Sequence, residues 1–170
     1  MAVSFPVHTP AQMFVLLVED NQAEALLTQE ALRDSGHPCE LKTVHDGEMA
    51  SQFLRQQGGY AEAPRPNIIL LDLNLPRKDG RELLREIKSD AQLATIPVIV
   101  VSNSSSPEDI EEVYRLKGNC YLVKPPELDD LFIMVRSMVD FWFRHVHLPS
   151  APWRNFGSSG SATDAAPLPS

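Results

Sequence analysis

The sequence predicts an α/β domain in which a parallel sheet carries helices on both faces. Short apolar runs, each long enough for one strand, alternate with segments whose apolar residues recur every three or four positions. This alternation repeats five times between residues 13 and 148. Four of the five strand candidates are continuous apolar runs, as expected for strands that are covered on both faces.

The predicted strands and helices follow one another in strict alternation. The strands are residues 14–18, 40–44, 67–71, 97–101 and 120–123, and the helices are residues 22–34, 46–57, 81–89, 107–116 and 127–145. Asn21 and Ser106 belong to the residue types that cap helix N-termini, and Pro107 suits the first helical position. Gly36 and Gly118 suit the ends of the first and fourth helices. The second strand alternates polar and apolar residues, which predicts a half-exposed edge strand.

Composition and charge limit the domain organisation and the classes of function. The 170 residues divide into an N-terminal extension (1–12), one folded domain (13–148) and a tail (149–170) whose Pro, Ser, Gly and Ala content predicts disorder. No segment approaches the roughly 18 apolar residues of a membrane span, and no secretory signal is evident, so we expect a cytoplasmic protein. A net charge of −8 with 15 scattered Lys and Arg residues argues against nucleic-acid binding.

Polar residues with complementary chemistry follow the predicted strands. In an open parallel sheet, ligands bind beyond the carboxyl ends of the strands. Glu19 and Asp20 follow the first strand, Asp72 the third, Ser102 the fourth and Lys124 the fifth. Three carboxylates brought together repel one another unless a cation offsets their charge. Their hard oxygen atoms suit Mg²⁺, so the sequence predicts a magnesium site at this end of the sheet.

The same residues suit the transfer of a phosphoryl group to a carboxylate. An aspartate can act as the nucleophile and form an acyl phosphate. A metal ion and a lysine then neutralise the charge on the phosphoryl oxygens, and a serine hydroxyl can donate to another of them. Asn74, two residues after Asp72, offers its backbone carbonyl as a further metal ligand.

Taken jointly, these residues resemble the receiver domain of two-component response regulators. The pattern comprises Glu19, Asp20, Asp72, Ser102, Tyr121, Lys124 and Pro125. The resemblance covers residues 13–144 and implies the flavodoxin-like (βα)5 fold with strand order 2-1-3-4-5. It also implies that the protein is a phosphoacceptor that assists its own phosphotransfer and dephosphorylation, rather than an enzyme acting on a separate substrate.

The resemblance assigns a role to each matching residue. Asp72 is the expected phosphoacceptor, assisted by Lys124 and Ser102, and Mg²⁺ is the expected cofactor. The expected metal ligands are Glu19, Asp20, Asp72 and the backbone carbonyl of Asn74. Ser102 and Tyr121 match the switch residues of the family, and the bond between Lys124 and Pro125 is often cis there. A sensor histidine kinase is the expected donor, and the helix 4/strand 5/helix 5 face is the expected output surface.

Further features favour a narrower group within the family. The long loop before the third strand, the segment SNSSSPEDI at 102–110 and the aromatic segment at 141–149 resemble single-domain response regulators paired with bacterial phytochromes. A bacteriophytochrome is therefore a candidate kinase. The last helix is apolar nearly all round, which predicts burial on more than one side. We expect a homodimer through this helix, with Phe141 and Trp142 as anchors.

Two other functions remain open from the residues alone. The first is a phosphatase with an aspartyl nucleophile, of the haloacid dehalogenase type, which Asp72-Leu73-Asn74 loosely resembles. That class needs a second acid where Asn74 stands, and its nucleophile follows the first strand rather than the third. The second is a receiver-like scaffold that is never phosphorylated. The intact Asp72, Lys124 and acidic pair argue against this alternative.

Overall fold

A computed structural model describes residues 12–149 as a five-stranded parallel sheet flanked by helices. The strands are β1 (Met13–Val18), β2 (Cys39–Val44), β3 (Ile68–Leu71), β4 (Val98–Ser102) and β5 (Cys120–Val123). The helices are α1 (Gln22–Asp34), α2 (Gly47–Leu54), α3 (Gly80–Ser89), α4 (Pro107–Arg115) and α5 (Leu128–Arg144), with a short 3-10 turn at Gly58–Tyr60. The strand order is β2-β1-β3-β4-β5, which confirms the predicted fold.

The two ends of the chain lie outside the described residues. The predicted extension over residues 1–12 is described only at Gln12, and the predicted disordered tail only at Pro149. Both assignments therefore stay predictions. Within residues 12–149, no helix combines the length and the apolar character needed to cross a membrane.

Each central strand supplies side chains to two apolar layers because successive residues point to opposite faces. One layer lies against α2 and α3, and its strand residues are Leu16, Val18, Ile69, Leu71, Val98 and Val100. The other lies beneath α1 and α5, and its strand residues are Met13, Val15, Leu17, Ile68, Leu70 and Ile99. Burial on both faces explains the uninterrupted apolar runs of β1, β3 and β4.

The two edge strands differ from the central ones. β2 alternates between exposed and partly buried residues over most of its length, as predicted. The expectation that β5 is covered on both faces is wrong, because each of its residues is partly exposed and Val123 is 40% exposed. β5 pairs only with β4, so it forms the second edge of the sheet. An apolar run cannot by itself distinguish such an edge from a central strand.

Helices α1 and α4 begin where the sequence predicts because short polar side chains cap them. The Asn21 side chain accepts hydrogen bonds from the Ala23 and Glu24 amides, and the Ser106 hydroxyl accepts one from the Asp109 amide. The predicted end of the second helix at residue 57 is wrong, because α2 stops at Leu54. Gln56 adopts a left-handed backbone conformation (φ 53°), which is incompatible with a continuing α-helix.

A polar cluster ties α2 to α3 beside the sheet. The Glu86 carboxylate accepts hydrogen bonds from Lys78 (2.7 Å), Ser51 (2.5 Å) and Arg55 (2.9 Å). Burial alone would raise the pKa of Glu86, but the bonds from Lys78, Ser51 and Arg55 outweigh burial and lower it to about 2. The ionised form of Glu86 is therefore stabilised by folding.

We predict that Glu86→Gln lowers the free energy of unfolding by about 1–3 kcal/mol at pH 7. Because the pKa of Glu86 falls from an ordinary 4.5 to about 2, its stabilising effect is complete above pH 4.5 and is lost as the pH falls towards 2. Denaturant unfolding at several pH values measures this difference, which should shrink at low pH. Glu111→Gln, an exposed charge change, is the control. An equal loss of stability at pH 3 and pH 7 would contradict the prediction.

Candidate functional site

The carboxyl ends of the strands bring the predicted site residues together. Main-chain hydrogen bonds continue the sheet one step beyond the strands, from the Glu19 amide to Val44 (3.0 Å) and from the Asp72 amide to Val18 (3.0 Å). The Lys124 amide donates to the carbonyl of Ser102 in the same way (2.8 Å). The backbone that carries the functional side chains therefore belongs to the rigid part of the fold.

Lys124 lies at the centre of the site. Its ammonium donates to the Asp72 Oδ2 atom (2.8 Å), the Glu19 Oε2 atom (2.8 Å) and the Glu24 Oε2 atom (2.5 Å). The Lys124 side chain is only 4% exposed, and those of Glu19 and Asp72 are almost as buried. A lysine has three N–H donors, so this side chain is fully used by carboxylates.

The pKa values show how strongly these groups interact. Burial disfavours the charged form of Lys124, but its hydrogen bonds to Asp72, Glu19 and Glu24 outweigh burial and raise its pKa. Burial raises the pKa of Glu19, while the contact with Lys124 acts in the opposite direction. The ammonium thus remains charged at neutral pH and can serve as a fixed positive charge beside Asp72.

Three carboxylates are arranged as a cation site. One oxygen atom each from Glu19, Asp20 and Asp72 lies within 4.8 Å of the others, and this is the group among residues 12–149 that fits a metal ion. Glu19 and Asp72 are buried whereas Asp20 is exposed, so the group opens to solvent on one side. Hard oxygen atoms at this separation fit a divalent cation such as Mg²⁺, which retains several water ligands.

Asn74 lies at the rim of the site. Its backbone amide donates to the Asp72 Oδ1 atom (3.0 Å), so Asp72 is held from both sides, by Asn74 and by Lys124. The role of the Asn74 carbonyl as a metal ligand stays a prediction. Gly80 packs directly below, where a Cβ atom would lie 2.3 Å from the Asp72 carbonyl oxygen. Glycine at this position therefore permits the close approach of α3 to the backbone of Asp72.

Ser102 and Tyr121 meet through one residue of the loop after β4. The Ser102 hydroxyl is fully buried and accepts a hydrogen bond from the Ser104 amide (3.2 Å). The Tyr121 hydroxyl donates to the carbonyl oxygen of the same Ser104 (2.9 Å). The Ser104 side chain donates to Asp109 (2.5 Å), which also binds Arg81 (2.5 Å). The loop is thus tied to β4, β5, α3 and α4 simultaneously.

One expectation at this site is wrong, and one residue was not anticipated. The peptide bond between Lys124 and Pro125 is trans rather than cis, the form that tertiary amides intrinsically prefer. Glu24 makes one of the three contacts to Lys124, although it follows no strand. The rule that site residues follow the strands therefore does not predict Glu24. The available signal was its position in the first turn of the helix that begins just after Asp20.

The aromatic pair of α5 divides between surface and core. Phe141 is 54% exposed. Trp142 is half-buried and packs against the layer beneath α1 and α5, and its ring is nearly perpendicular to that of Phe141. Phe141 is therefore available to a partner, whereas most of Trp142 already contributes to the fold of its own chain.

Comparison with known proteins agrees with this geometry. The chain matches the response regulator receiver domain over residues 15–136. Response regulator Rcp1 of Synechocystis sp. is 50% identical over 137 residues, which cover 81% of this chain and 93% of Rcp1. The Mn²⁺-bound structure of Rcp1 is similar, with a TM-score of 0.79 and 49% identity over 81% of this chain and 99% of that chain.

A second solved structure is similar over the same region. The phosphorylated cyanobacterial phytochrome response regulator RcpA has a TM-score of 0.80 and 51% identity, covering 82% of this chain and all of RcpA. The narrower resemblance to phytochrome-associated regulators is thereby confirmed. On the strength of its fold, its strand-end residues and these relatives, the chain belongs to the response regulator receiver domain family.

Proposed function

We propose that this protein is a single-domain response regulator that accepts a phosphoryl group on Asp72 from a sensor histidine kinase. The observation that carries the proposal is the contact between the buried Lys124 ammonium and Asp72, beside a three-carboxylate cation group. The similarity to RcpA, whose solved structure is of the phosphorylated form, supports it. A bacteriophytochrome is the favoured class of donor, acting in the cytoplasm.

The chemistry follows from the positions of the side chains. An Asp72 carboxylate oxygen attacks the phosphorus atom, the bond from phosphorus to the donor nitrogen breaks, and the donor imidazole keeps the electron pair. Lys124 and the Ser102 hydroxyl then donate to phosphoryl oxygens. Mg²⁺ held by Glu19, Asp20, Asp72 and the Asn74 carbonyl would neutralise charge on the same group. The protein itself mainly orients the reactants.

The proposed output is a change in the surface formed by α4, β5 and α5. Movement of Ser102 towards the phosphoryl group would break its hydrogen bond with the Ser104 amide. Tyr121 would then lose its partner on Ser104, and the ion pair between Asp109 and Arg81 would no longer hold the loop. The loop would then have two arrangements in equilibrium. Phosphorylation shifts the populations of these arrangements if the phosphoryl group stabilises one more than the other.

The two alternatives are less consistent with the site. A phosphatase of the haloacid dehalogenase type needs an acidic residue two positions after its nucleophile, and this chain has the amide Asn74 there. Asp72 follows β3 rather than β1, in contrast to the nucleophile of that class. If the protein were an unphosphorylated scaffold, the buried Lys124 and the three carboxylates that accept its hydrogen bonds would have no function.

We expect one phosphoryl group to be added to the parent protein by acetyl phosphate and Mg²⁺, as detected by intact mass, and none to be added to Asp72→Asn. The amide of asparagine is a poor nucleophile, so the acyl phosphate cannot form. Asp34→Asn, an exposed substitution on α1, is the control and should be labelled like the parent. An unlabelled parent would favour the scaffold, and rapid hydrolysis of added phosphomonoesters would favour the phosphatase.

We expect Asp20→Asn to weaken the binding of Mg²⁺ or Mn²⁺ by at least about tenfold in calorimetric titration. Asp20 belongs to the cation group but is not one of the three carboxylates bound to Lys124. Its substitution therefore tests the metal site without disturbing the ammonium. Unchanged affinity in a variant with an unaltered melting temperature would exclude Asp20 as a ligand.

A homodimer through α5 is the further part of the proposal. Phe141 and Ile133 are both more than half exposed and lie two helical turns apart on α5, where they offer an apolar surface. Trp142 supports this surface from within the fold. The same surface on two chains can meet about a two-fold axis.

We predict that Phe141→Asp converts a dimeric parent into a monomer, as measured by light scattering. A carboxylate at a contact between apolar surfaces would be buried without a partner. Leu26→Asp, at an equally exposed apolar residue on α1, is the matched control and should remain dimeric. A parent of monomeric mass, or a dimer that persists in Phe141→Asp, would contradict the proposed interface.

A further inference from the structure

Glu24 is the one acidic partner of Lys124 that lies outside the cation group. Glu19 and Asp72 both contribute oxygen atoms to the three-carboxylate group, and Glu24 does not. Its Oε2 atom nevertheless lies 2.5 Å from the Lys124 ammonium, the shortest of the three contacts. The Glu24 side chain is 22% exposed, so the contact is only partly screened by water.

The ordinary reason for a glutamate at this position does not account for its geometry. Three residues after an N-cap, a glutamate usually accepts a hydrogen bond from the backbone amide of the capping residue. Here the Asn21 amide donates instead to the Glu19 Oε1 atom (3.0 Å). Glu24 receives only the Asn21 side-chain amide on its Oε1 atom (3.3 Å), and its other oxygen turns towards Lys124. The Glu24 carboxylate therefore contacts Lys124 in the site and does not cap the backbone of α1.

Phosphorylation would change the three contacts of Lys124 unequally. The Asp72 carboxylate loses its charge when it becomes an acyl phosphate, and Glu19 can direct its charge to a cation in the metal group. Glu24 has no such alternative and keeps its full attraction for the ammonium. The phosphoryl oxygens must therefore compete with the Glu24 carboxylate for the hydrogen bonds that the Lys124 ammonium donates. An incoming phosphodonor, itself negative, is also repelled by this charge.

The surroundings leave room for Lys124 to change its position. A cavity of about 20 Å³ borders Glu24, Lys124 and Asp72, and its far wall includes Thr28 of α1 and Met134 of α5. That space is sufficient for roughly one water molecule. The position of the ammonium is therefore set by its contacts with Glu24, Glu19 and Asp72 rather than by close packing alone.

We propose, on the basis of the function proposed above, that Glu24 is a positioning residue that restrains Lys124 and thereby slows phosphorylation of Asp72. Glu24→Gln keeps the size of the side chain and an oxygen that can accept from Lys124, but removes the charge. At a Mg²⁺ concentration that saturates both the parent and this variant, we expect the second-order rate constant for phosphorylation by acetyl phosphate to rise about three- to tenfold in Glu24→Gln.

The matched control is Glu30→Gln, which removes the same charge from an exposed position on the same helix, where Glu30 pairs with Arg33. Its rate should equal that of the parent. A second measurement is independent of phosphoryl transfer: Mn²⁺ affinity, determined by calorimetry, should fall about three- to tenfold in Glu24→Gln and stay unchanged in Glu30→Gln. Melting temperatures of all variants check that the fold is retained.

The outcomes separate this inference from the proposed function. If the parent is not phosphorylated at Asp72, the proposed function fails, whatever the Mn²⁺ titration shows. If the parent is phosphorylated and Glu24→Gln reacts no faster than Glu30→Gln, the restraint by Glu24 is refuted while the function stands.

Discussion

The site depends on a single buried ammonium that is surrounded by acidic side chains. Without Lys124, Glu19 and Asp72 would be two adjacent carboxylates that repel each other in a largely water-excluded position. The ammonium satisfies one oxygen of each and leaves the other oxygens to the Asn21 and Asn74 amides. The ammonium thereby offsets part of the repulsion between the carboxylates, which can lie close together as cation binding requires.

That arrangement is possible only because the sheet holds the backbone in place. Asp72 and Glu19 lie one residue beyond strands that are buried on both faces, and their amides continue the hydrogen bonding of the sheet. Gly80 brings the start of α3 against the Asp72 carbonyl, where any side chain would collide with backbone. The loop after β4 is held differently, by polar contacts of Ser104 with Tyr121 and Asp109. Asp72, the proposed phosphoacceptor, is thus on the rigid part of the domain, and the segment that we propose to respond is a loop.

Most of the fold was predictable because it rests on local patterns. Strand-length apolar runs, helix caps at Asn21 and Ser106, and a strand-end polar residue on each central strand are all visible in the sequence. The errors occurred where the environment, and not the residue type, decides the outcome. The run at Cys120–Val123 is apolar although it forms an edge and its residues are partly exposed. The exposure of the residues in such an apolar run depends on the neighbours that they meet and cannot be judged from the residue types alone.

The sequence by itself determined the (βα)5 architecture and the identity of the strand-end residues Glu19, Asp20, Asp72, Ser102 and Lys124. It could do so because parallel strands deliver the residues that follow them to one edge, whatever the details of packing. Only the tertiary structure decided how Lys124 is shared among its acidic partners. Glu24 reaches the ammonium from α1 because the packing of that helix and the engagement of the Asn21 amide by Glu19 direct its side chain inward. A contact between residues that are 100 positions apart depends on three-dimensional placement, which no local pattern in the chain encodes.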